Sequence, residues 1–198
     1  MSRFIESIRL LDGRFYNLSY HEKRMSRTLH DHYGSASPLN LEKLLNETDF
    51  PGNGLYKCRI IYDGAASEVT YTPYVAKNIK RIKVVEDDEI SYAYKYENRQ
   101  AVDRLFGQRE GCDDVLVVRH GKITDCSFSN IVFRKGNRWY TPSSPLLAGT
   151  MRQSLIEENK IELREILLKE LRSFDTFKLV NAMLQFNGPE IEVSEIVF

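Results

Sequence analysis

The most informative stretch of this chain is Lys122-Ile123-Thr124-Asp125-Cys126-Ser127-Phe128-Ser129-Asn130-Ile131-Val132-Phe133-Arg134. Both of its ends are rich in β-branched and aromatic residues, which favour strands, while its middle is short and polar. Turn-forming residues bound it on either side, at His120-Gly121 and at Lys135-Gly136-Asn137. The sequence therefore predicts a mostly β region punctuated by tight turns.

The rest of the chain mixes helical and β patterns. Predicted strands cover residues 3–11, 14–18, 55–62, 68–74, 79–85, 114–119, 122–126, 131–134, 138–141, 161–166 and 176–183. Predicted helices cover residues 20–33, 40–47, 98–108, 150–158 and 167–173. Asp12-Gly13 and Asp63-Gly64 predict hairpin turns, and Ser19-x-x-Glu22 predicts a capping box. The class is α+β, with a small α/β domain at 1–78 and a β-rich domain at 79–198.

Composition restricts the partners of the chain. Twenty-eight basic and 28 acidic residues cancel, so no overall field favours nucleic acid or an anionic membrane, and a small-molecule ligand is expected. The first residues lack an apolar secretory core, and no run approaches the roughly 20 apolar residues of a membrane span, which predicts a cytoplasmic protein. Three widely spaced cysteines suit neither a disulfide framework nor a zinc cage, so no metal site is predicted.

Three separated groups have the chemistry of one cofactor site. Lys95 offers an amine, Asp125 an acid, and Gly149-Thr150-Met151-Arg152 a loop that enters a predicted helix. An amine can hold an aldehyde as a Schiff base, a carboxylate can keep a ring nitrogen protonated, and a helix N-terminus attracts phosphate. Each residue also has an ordinary structural interpretation, as a solvated lysine, a strand-ending aspartate and a helix-flanking glycine.

The order of motifs along the chain favours the cofactor interpretation. Phe4-Ile5-Glu6-Ser7-Ile8-Arg9, His21-x-x-Arg24, Lys95-x-x-Asn98-Arg99, the stretch 125–130 and Asn181-Ala182-Met183 together resemble the fold-type IV pyridoxal-phosphate enzymes, the class IV aminotransferase family. The resemblance spans nearly the whole chain. It implies a D-amino-acid aminotransferase-like fold, in which a small N-terminal α/β domain and a C-terminal barrel-like β domain with helices hold pyridoxal phosphate.

The resemblance also implies a role for each matching residue. Lys95 corresponds to the Schiff-base lysine and proton carrier, and Asp125 to the acid that pairs with the ring nitrogen. Arg59, Arg99 or a partner subunit is expected to bind the substrate carboxylate, because the arginine-containing loop of the family is replaced by residues 63–68. The other expected cofactor-binding residues are Arg24, Ser129, Asn130, Gly149, Thr150, Met151, Asn181 and Ala182.

The implied reaction is less sharply defined than the cofactor. Asn181-Ala182-Met183 and Met151-Arg152-Gln153 are similar to the lyase branch, which implies conversion of aminodeoxychorismate to 4-aminobenzoate and pyruvate, a step of folate biosynthesis. The alternatives are transamination of branched-chain or D-amino acids, and cofactor binding without turnover. Family members usually carry additional residues ahead of the first strand, so part of the substrate pocket is expected to be missing from this chain. A homodimer is expected because the family places its site near a subunit interface, and because one chain would leave this pocket incompletely closed.

Overall fold

The computed structural model describes residues 2–34, 40–64 and 67–198. Its strands are β1 (Phe4–Leu11), β2 (Arg14–Phe15), β3 (Leu55–Tyr62), β4 (Ser67–Pro73), β5 (Ile82–Glu86), β6 (Asp114–Arg119), β7 (Lys122–Cys126), β8 (Asn130–Lys135), β9 (Arg138–Pro142), β10 (Glu162–Arg164), β11 (Thr176–Val180), β12 (Ile191–Glu192) and β13 (Ile196–Val197). The helices are α1 (Leu18–Tyr33), α2 (Leu41–Asn46), α3 (Gln100–Phe106) and α4 (Thr150–Glu157), with 3-10 helices at Leu168–Ser173 and Val193–Glu195. The predicted α+β class is confirmed.

The chain divides into two compact units that are not continuous in sequence. The first unit contains the residues up to Ala76 together with Tyr94–Asn98, and the second contains Lys77–Ala93 and Arg99–Phe198. The domain boundary expected near residue 78 stays a prediction. The return of a five-residue segment to the first unit matters for the site, because this segment carries Lys95.

The first unit is a sheet of strand order β2-β1-β3-β4 with α1 and α2. Asp12 and Gly13 both have positive φ, 47° and 74°, as the predicted hairpin turn requires. Phe4, Ile8 and Met25 are fully buried in its core. Helix packing on the alternating apolar face of β1 therefore stabilises this unit.

The predicted capping box at the start of α1 is wrong. The helix begins at Leu18 after Asn17, which has a left-handed φ of 58° and makes no side-chain cap. Ser19 therefore lies inside the helix, and the Glu22 carboxylate accepts the backbone N–H of Leu41 at 2.7 Å instead. The predicted end is confirmed, since Gly34 has a φ of 64° and donates its N–H to the His30 carbonyl.

The segment Tyr94–Asn98 lies along β1. The Ile5 N–H donates to the Lys95 carbonyl and the Glu97 N–H donates to the Arg3 carbonyl, both at 2.9 Å. The rings of Tyr94 and Tyr96, which flank Lys95, lie 6.3 and 5.2 Å from the ring of Phe4. The backbone of Lys95 is thus held against the first strand of the chain.

The second unit contains a mixed sheet of strand order β10-β9-β8-β7-β6-β5-β13, and β8 also pairs with β11. Strand β8 is buried along most of its length and supplies Ile131 and Phe133 to the core. The predicted strand 176–183 is too long, because β11 ends at Val180 and the Asn181 carboxamide oxygen then accepts the N–H groups of Met183 and Leu184. None of the helices within the described residues is long and apolar enough to cross a membrane.

Candidate active site

Asp125 is a buried carboxylate that accepts hydrogen bonds on both of its oxygens. Its side chain lies near the end of β7, where Asp125 pairs in register with Asn130 at the start of β8. Oδ1 accepts a hydrogen bond from Asn130 Nδ2 at 2.7 Å, and Oδ2 accepts the Leu147 N–H at 2.9 Å. Burial raises the pKa of Asp125 to about 6, against the opposing effect of these bonds and of the Arg152 charge. The site therefore holds a carboxyl group that a nearby cation would ionise fully.

Gly149 lies where helix α4 meets the side chain of Asn130. A Cβ at residue 149 would lie 2.0 Å from Asn130 Oδ1, far inside van der Waals contact. Asn130 also donates from Nδ2 to the Leu147 carbonyl at 2.9 Å, so it cannot move without losing contacts on both sides. Close approach, rather than an unusual φ, therefore requires glycine here, since φ is −70°.

Helix α4 starts immediately after this contact. Gly149 is its N-cap residue and, lacking a side chain, makes no side-chain cap bond to the helix. The positive end of the helix dipole lies at Thr150 and Met151. The loop that carries Gly149 thus ends in a helix terminus suited to an anion.

Arg152 anchors the same helix to β9. Only 5% of Arg152 is exposed; Nη2 donates to the Pro142 carbonyl at 2.7 Å and Nε donates to Thr141 Oγ1 at 3.2 Å. Burial lowers the pKa of Arg152, while the charge of Asp125 raises it. Arg152 therefore supports α4 and adds positive charge near Asp125.

The turn between β7 and β8 is fastened by polar side chains from other elements. Arg99 Nη2 donates to the Ser127 carbonyl at 2.8 Å, and Asn181 Nδ2 donates to the Phe128 carbonyl at 3.3 Å. The Ser127 N–H donates to Asp114 Oδ1 at 3.4 Å. Two residues expected to bind ligands, Arg99 and Asn181, thus also hold the turn that follows Asp125.

Ser129 has an unsatisfied hydroxyl in this turn. Its side chain is 7% exposed, and Oγ has no hydrogen-bond partner among the described residues. A buried hydroxyl without a protein partner is costly, so Ser129 Oγ is available to bond a water or a polar ligand group. With the Asp125 carboxylate, the close approach at Gly149 and the start of α4, it forms a donor and acceptor set that fits pyridoxal phosphate.

The first unit contains a second cluster of charged groups. Arg24 Nε donates to Glu6 Oε1 at 2.8 Å, Arg24 Nη2 donates to Glu6 Oε2 at 2.5 Å, and His21 Nδ1 lies 2.6 Å from Oε2. Burial alone raises the pKa of Glu6, but the charge and hydrogen bonds of Arg24 and the His21 bond outweigh it and lower the pKa to about 2. Burial lowers the pKa of His21, and the charges of Arg24 and Lys95 lower it further, against the raising effect of Glu6.

Glu6 was not predicted as a site residue. The alternation along β1 could have identified it, because Glu6 lies at the same parity as Phe4 and Ile8 and is fully buried. A glutamate at a core position needs a charged partner. His21 and Arg24, three residues apart on α1, supply it.

The expected site residues belong to two groups. Arg24, Arg59 and Lys95 lie in the first unit, where Arg59 is one-third exposed and Arg59 Nη2 lies 3.6 Å from Glu97 Oε1. Within the loop 63–68, Ala65 and Ala66 lie outside the described residues. The residues of the second unit are Arg99, Asp125, Ser129, Asn130, Gly149, Thr150, Met151, Asn181 and Ala182. The roles of all these residues stay predictions.

Comparison with known proteins gives the class. Residues 94–187 match the amino-transferase class IV family. An uncharacterised protein of Haemophilus influenzae is 36% identical over 185 residues, which cover 92% of this chain and 98% of that protein. The chain belongs to the amino-transferase class IV family and is an enzyme of the fold-type IV group.

Solved structures agree with this assignment. A provisionally assigned 4-amino-4-deoxychorismate lyase from Haemophilus somnus 129PT is 35% identical, with a TM-score of 0.86, over 92% of this chain and 97% of that one. A hypothetical aminotransferase from Mycobacterium tuberculosis, solved with PLP bound, shares the fold with a TM-score of 0.73 at 18% identity, over 96% of this chain and 80% of that one. PLP is the cofactor of this family.

Proposed function

We propose that this enzyme uses PLP to convert 4-amino-4-deoxychorismate into 4-aminobenzoate and pyruvate. The observation that carries the proposal is the arrangement around Asp125, where a buried carboxylate, the unsatisfied hydroxyl of Ser129 and the close approach at Gly149 fit this cofactor. The lyase reaction is supported by the Haemophilus somnus structure, whose chain is matched over 97% of its length.

Each part of the cofactor has a matching residue. Asp125 would bind the protonated ring nitrogen, because a cation beside this carboxyl favours its ionised form. The start of α4 at Gly149, Thr150 and Met151 would bind the phosphate. The family resemblance also assigns a phosphate contact to the guanidinium of Arg24. Residues proposed to line the ring or its substituents are Ser129, Asn130, Asn181 and Ala182. When bound, PLP supplies an electron sink for negative charge that develops at the substrate carbon.

Lys95 is the residue proposed to move the proton. Its amine would hold the cofactor in the resting enzyme. When free, the same amine would accept the ring proton of the substrate as the ring becomes aromatic and the C–O bond to the three-carbon group breaks, and it would return that proton to the departing enol, which becomes pyruvate. Asp125 would keep its negative charge throughout this step.

The substrate carboxylate has two candidate partners. Arg59 is held by one long ion pair with Glu97 and is one-third exposed. Arg99 already donates to the Ser127 carbonyl and lies 3.5 Å from Asp103 Oδ1. We favour Arg59 for the carboxylate, because Arg99 would have to exchange a contact that holds the turn after Asp125.

Transamination of branched-chain or D-amino acids is the competing activity, and it would use the same groups, with Lys95 as the group that moves the proton from the substrate α-carbon. Cofactor binding without turnover is the other alternative.

A cytoplasmic location and a homodimer complete the proposal, and sedimentation at micromolar concentration tests the homodimer. A monomer that remains fully active would overturn the dimer.

The test begins with the purified protein and added PLP. Borohydride reduction followed by peptide mapping should label Lys95, and the Lys95→Ala variant should lose the label. Lys80→Ala, which removes an exposed lysine, serves as the matched control. Label on another lysine would overturn the cofactor assignment.

The second step distinguishes the reactions. Incubation with 4-amino-4-deoxychorismate should give equal amounts of 4-aminobenzoate and pyruvate. Amino-group transfer from an amino acid to a 2-oxo acid, without 4-aminobenzoate, would favour the transaminase. Covalent labelling at Lys95 without product from either substrate would show binding without turnover.

A further inference from the structure

We propose that Glu6 is a positioning residue of this enzyme, which orients the guanidinium of Arg24 for anion binding beside Lys95 and fixes the proton position of His21. The inference rests on the proposed function in one respect, namely that Arg24 contacts the cofactor phosphate. Its structural part, the orientation of both side chains by one carboxylate, stands on the contacts of the first unit alone.

The carboxylate of Glu6 makes a bidentate contact with Arg24. Both of its oxygens accept from Arg24, Oε1 from Nε at 2.8 Å and Oε2 from Nη2 at 2.5 Å. A two-point contact of this kind fixes the plane of the guanidinium as well as its distance. Glu6 is fully buried and Arg24 is 9% exposed, so the arrangement is held by the surrounding core.

The same carboxylate sets the state of His21. His21 Nδ1 lies 2.6 Å from Glu6 Oε2, so the imidazole donates its proton to the carboxylate from this nitrogen. The ring is fully buried, and this hydrogen bond assigns the Nδ1–H tautomer to the neutral side chain. Glu6 therefore fixes a proton position as well as a guanidinium.

This cluster is next to the segment that carries Lys95. Ile5, the residue before Glu6, donates its N–H to the Lys95 carbonyl at 2.9 Å. The charge of Lys95 also acts on His21 and lowers its pKa, as expected for neighbouring groups. The orientation set by Glu6 is thus established beside the amine that would hold the cofactor.

Positioning and simple electrostatics predict opposite results for Glu6→Gln. The variant removes a negative charge beside a phosphate-binding arginine, so electrostatics alone predicts tighter binding of PLP. Loss of the two-point contact instead predicts weaker binding. We expect the affinity for PLP to fall roughly tenfold, the lower end of the loss seen when the orienting partner of a metal ligand is removed.

The experiment compares PLP with pyridoxal, which lacks the phosphate. Dissociation constants of both are measured for the wild type, Glu6→Gln, and the control Glu47→Gln, which removes an exposed carboxylate. Glu6→Gln should weaken PLP binding and leave pyridoxal binding unchanged, while the control should change neither. Arg24→Lys, which keeps the positive charge but cannot make the two-point contact with Glu6, should behave like Glu6→Gln. Unchanged or tighter PLP binding by Glu6→Gln would overturn the proposal.

A measurement on the wild-type apoprotein separates this inference from the proposed function. Nitrogen-15 NMR should show His21 as the Nδ1–H tautomer and a slowly exchanging Nε–H on Arg24. An Nε2–H tautomer or rapid exchange at Arg24 would show that Glu6 does not hold the two side chains, whatever cofactor binds. Failure of the wild type to bind PLP, with both NMR signatures present, would remove the proposed function and the phosphate role while leaving the orientation by Glu6 established.

Discussion

Replacement of Glu6 by glutamine should destabilise the apoprotein by an amount that depends on pH. Glutamine has nearly the same shape as a protonated glutamate, so the variant resembles the wild type with this carboxyl neutralised. The folded structure lowers the pKa of Glu6 from 4.5 to about 2. At about 1.4 kcal/mol per pKa unit, the ionised group contributes about 3 kcal/mol to the free energy of unfolding at neutral pH.

The direction of the pH effect follows from the sign of the shift. A carboxyl whose pKa is lower in the folded state contributes its full stability above its unfolded pKa, here 4.5, and loses it as the pH falls towards about 2. The wild type should therefore approach the variant as the solution is acidified. The difference of about 3 kcal/mol at pH 7 should shrink by more than half by about pH 3.

Urea unfolding of both apoproteins, followed by circular dichroism between pH 7 and pH 3, measures this difference. Glu47→Gln should show no comparable pH-dependent difference, since that carboxylate is exposed. A difference in unfolding free energy between the wild type and Glu6→Gln that stays constant from pH 7 to pH 3 would refute the reasoning. It would mean that the loss came from packing rather than from the charge that faces Arg24 and His21.

Three further outcomes are expected in the second unit. Gly149→Ala should force Asn130 away from Asp125 and Leu147, which should cost about 1.5–3 kcal/mol of stability, as denaturant titration would measure. The same change should raise the pKa of Asp125 above about 6, as NMR titration of the carboxyl would measure. The folded structure raises the pKa of Asp125 from 3.8 to about 6, so this carboxyl should cost the wild-type apoprotein about 3 kcal/mol of stability as the pH rises through that range. Asp125→Asn should lack this loss, and an equal dependence of the unfolding free energy on pH in both proteins would contradict the assignment. Arg152→Met should lower the melting temperature by several degrees, because the contacts to Thr141 and Pro142 are lost, and an unchanged melting temperature would show that they contribute nothing.

Elements with a strong local pattern could be predicted from the sequence. The strands Leu55–Tyr62, Asp114–Arg119 and Lys122–Cys126 have the predicted bounds, because β-branched residues and flanking turn residues favour the same limits. The hairpin at Asp12-Gly13 was predictable for a similar reason, since its positive φ angles suit these residues.

Features set by tertiary contacts could not be predicted in this way. The start of α1 was misplaced because Glu22 accepts from Leu41, a residue 19 positions later, rather than from the helix end. The short strands Ile191–Glu192 and Ile196–Val197 were missed, since each consists of two residues whose pairing depends on β11 and β5. Local propensity cannot identify so short an element.

The candidate site likewise combines residues that the sequence identified with contacts that only the structure revealed. Lys95, Asp125 and Gly149 could be selected by motif, but the sequence did not show why Gly149 must be glycine, which depends on the side chain of Asn130. Nor did it show that Arg99 holds the carbonyl of Ser127. Glu6 lay within a quoted motif, and its role required the partners on α1 to be seen.

Tyr94–Asn98 belongs to the first unit but interrupts the second unit in sequence, and this limits how the protein can be divided into fragments. The chain passes between its two units after Ala76, again after Ala93 and a third time after Asn98. A fragment that stops at Ala76 lacks Lys95, and one that starts at Lys77 separates that lysine from the strand that binds its carbonyl. A stretch of gene that ends at Asn98 keeps the lysine with its support but takes residues 77–93 from the second unit, so no single cut leaves both units whole.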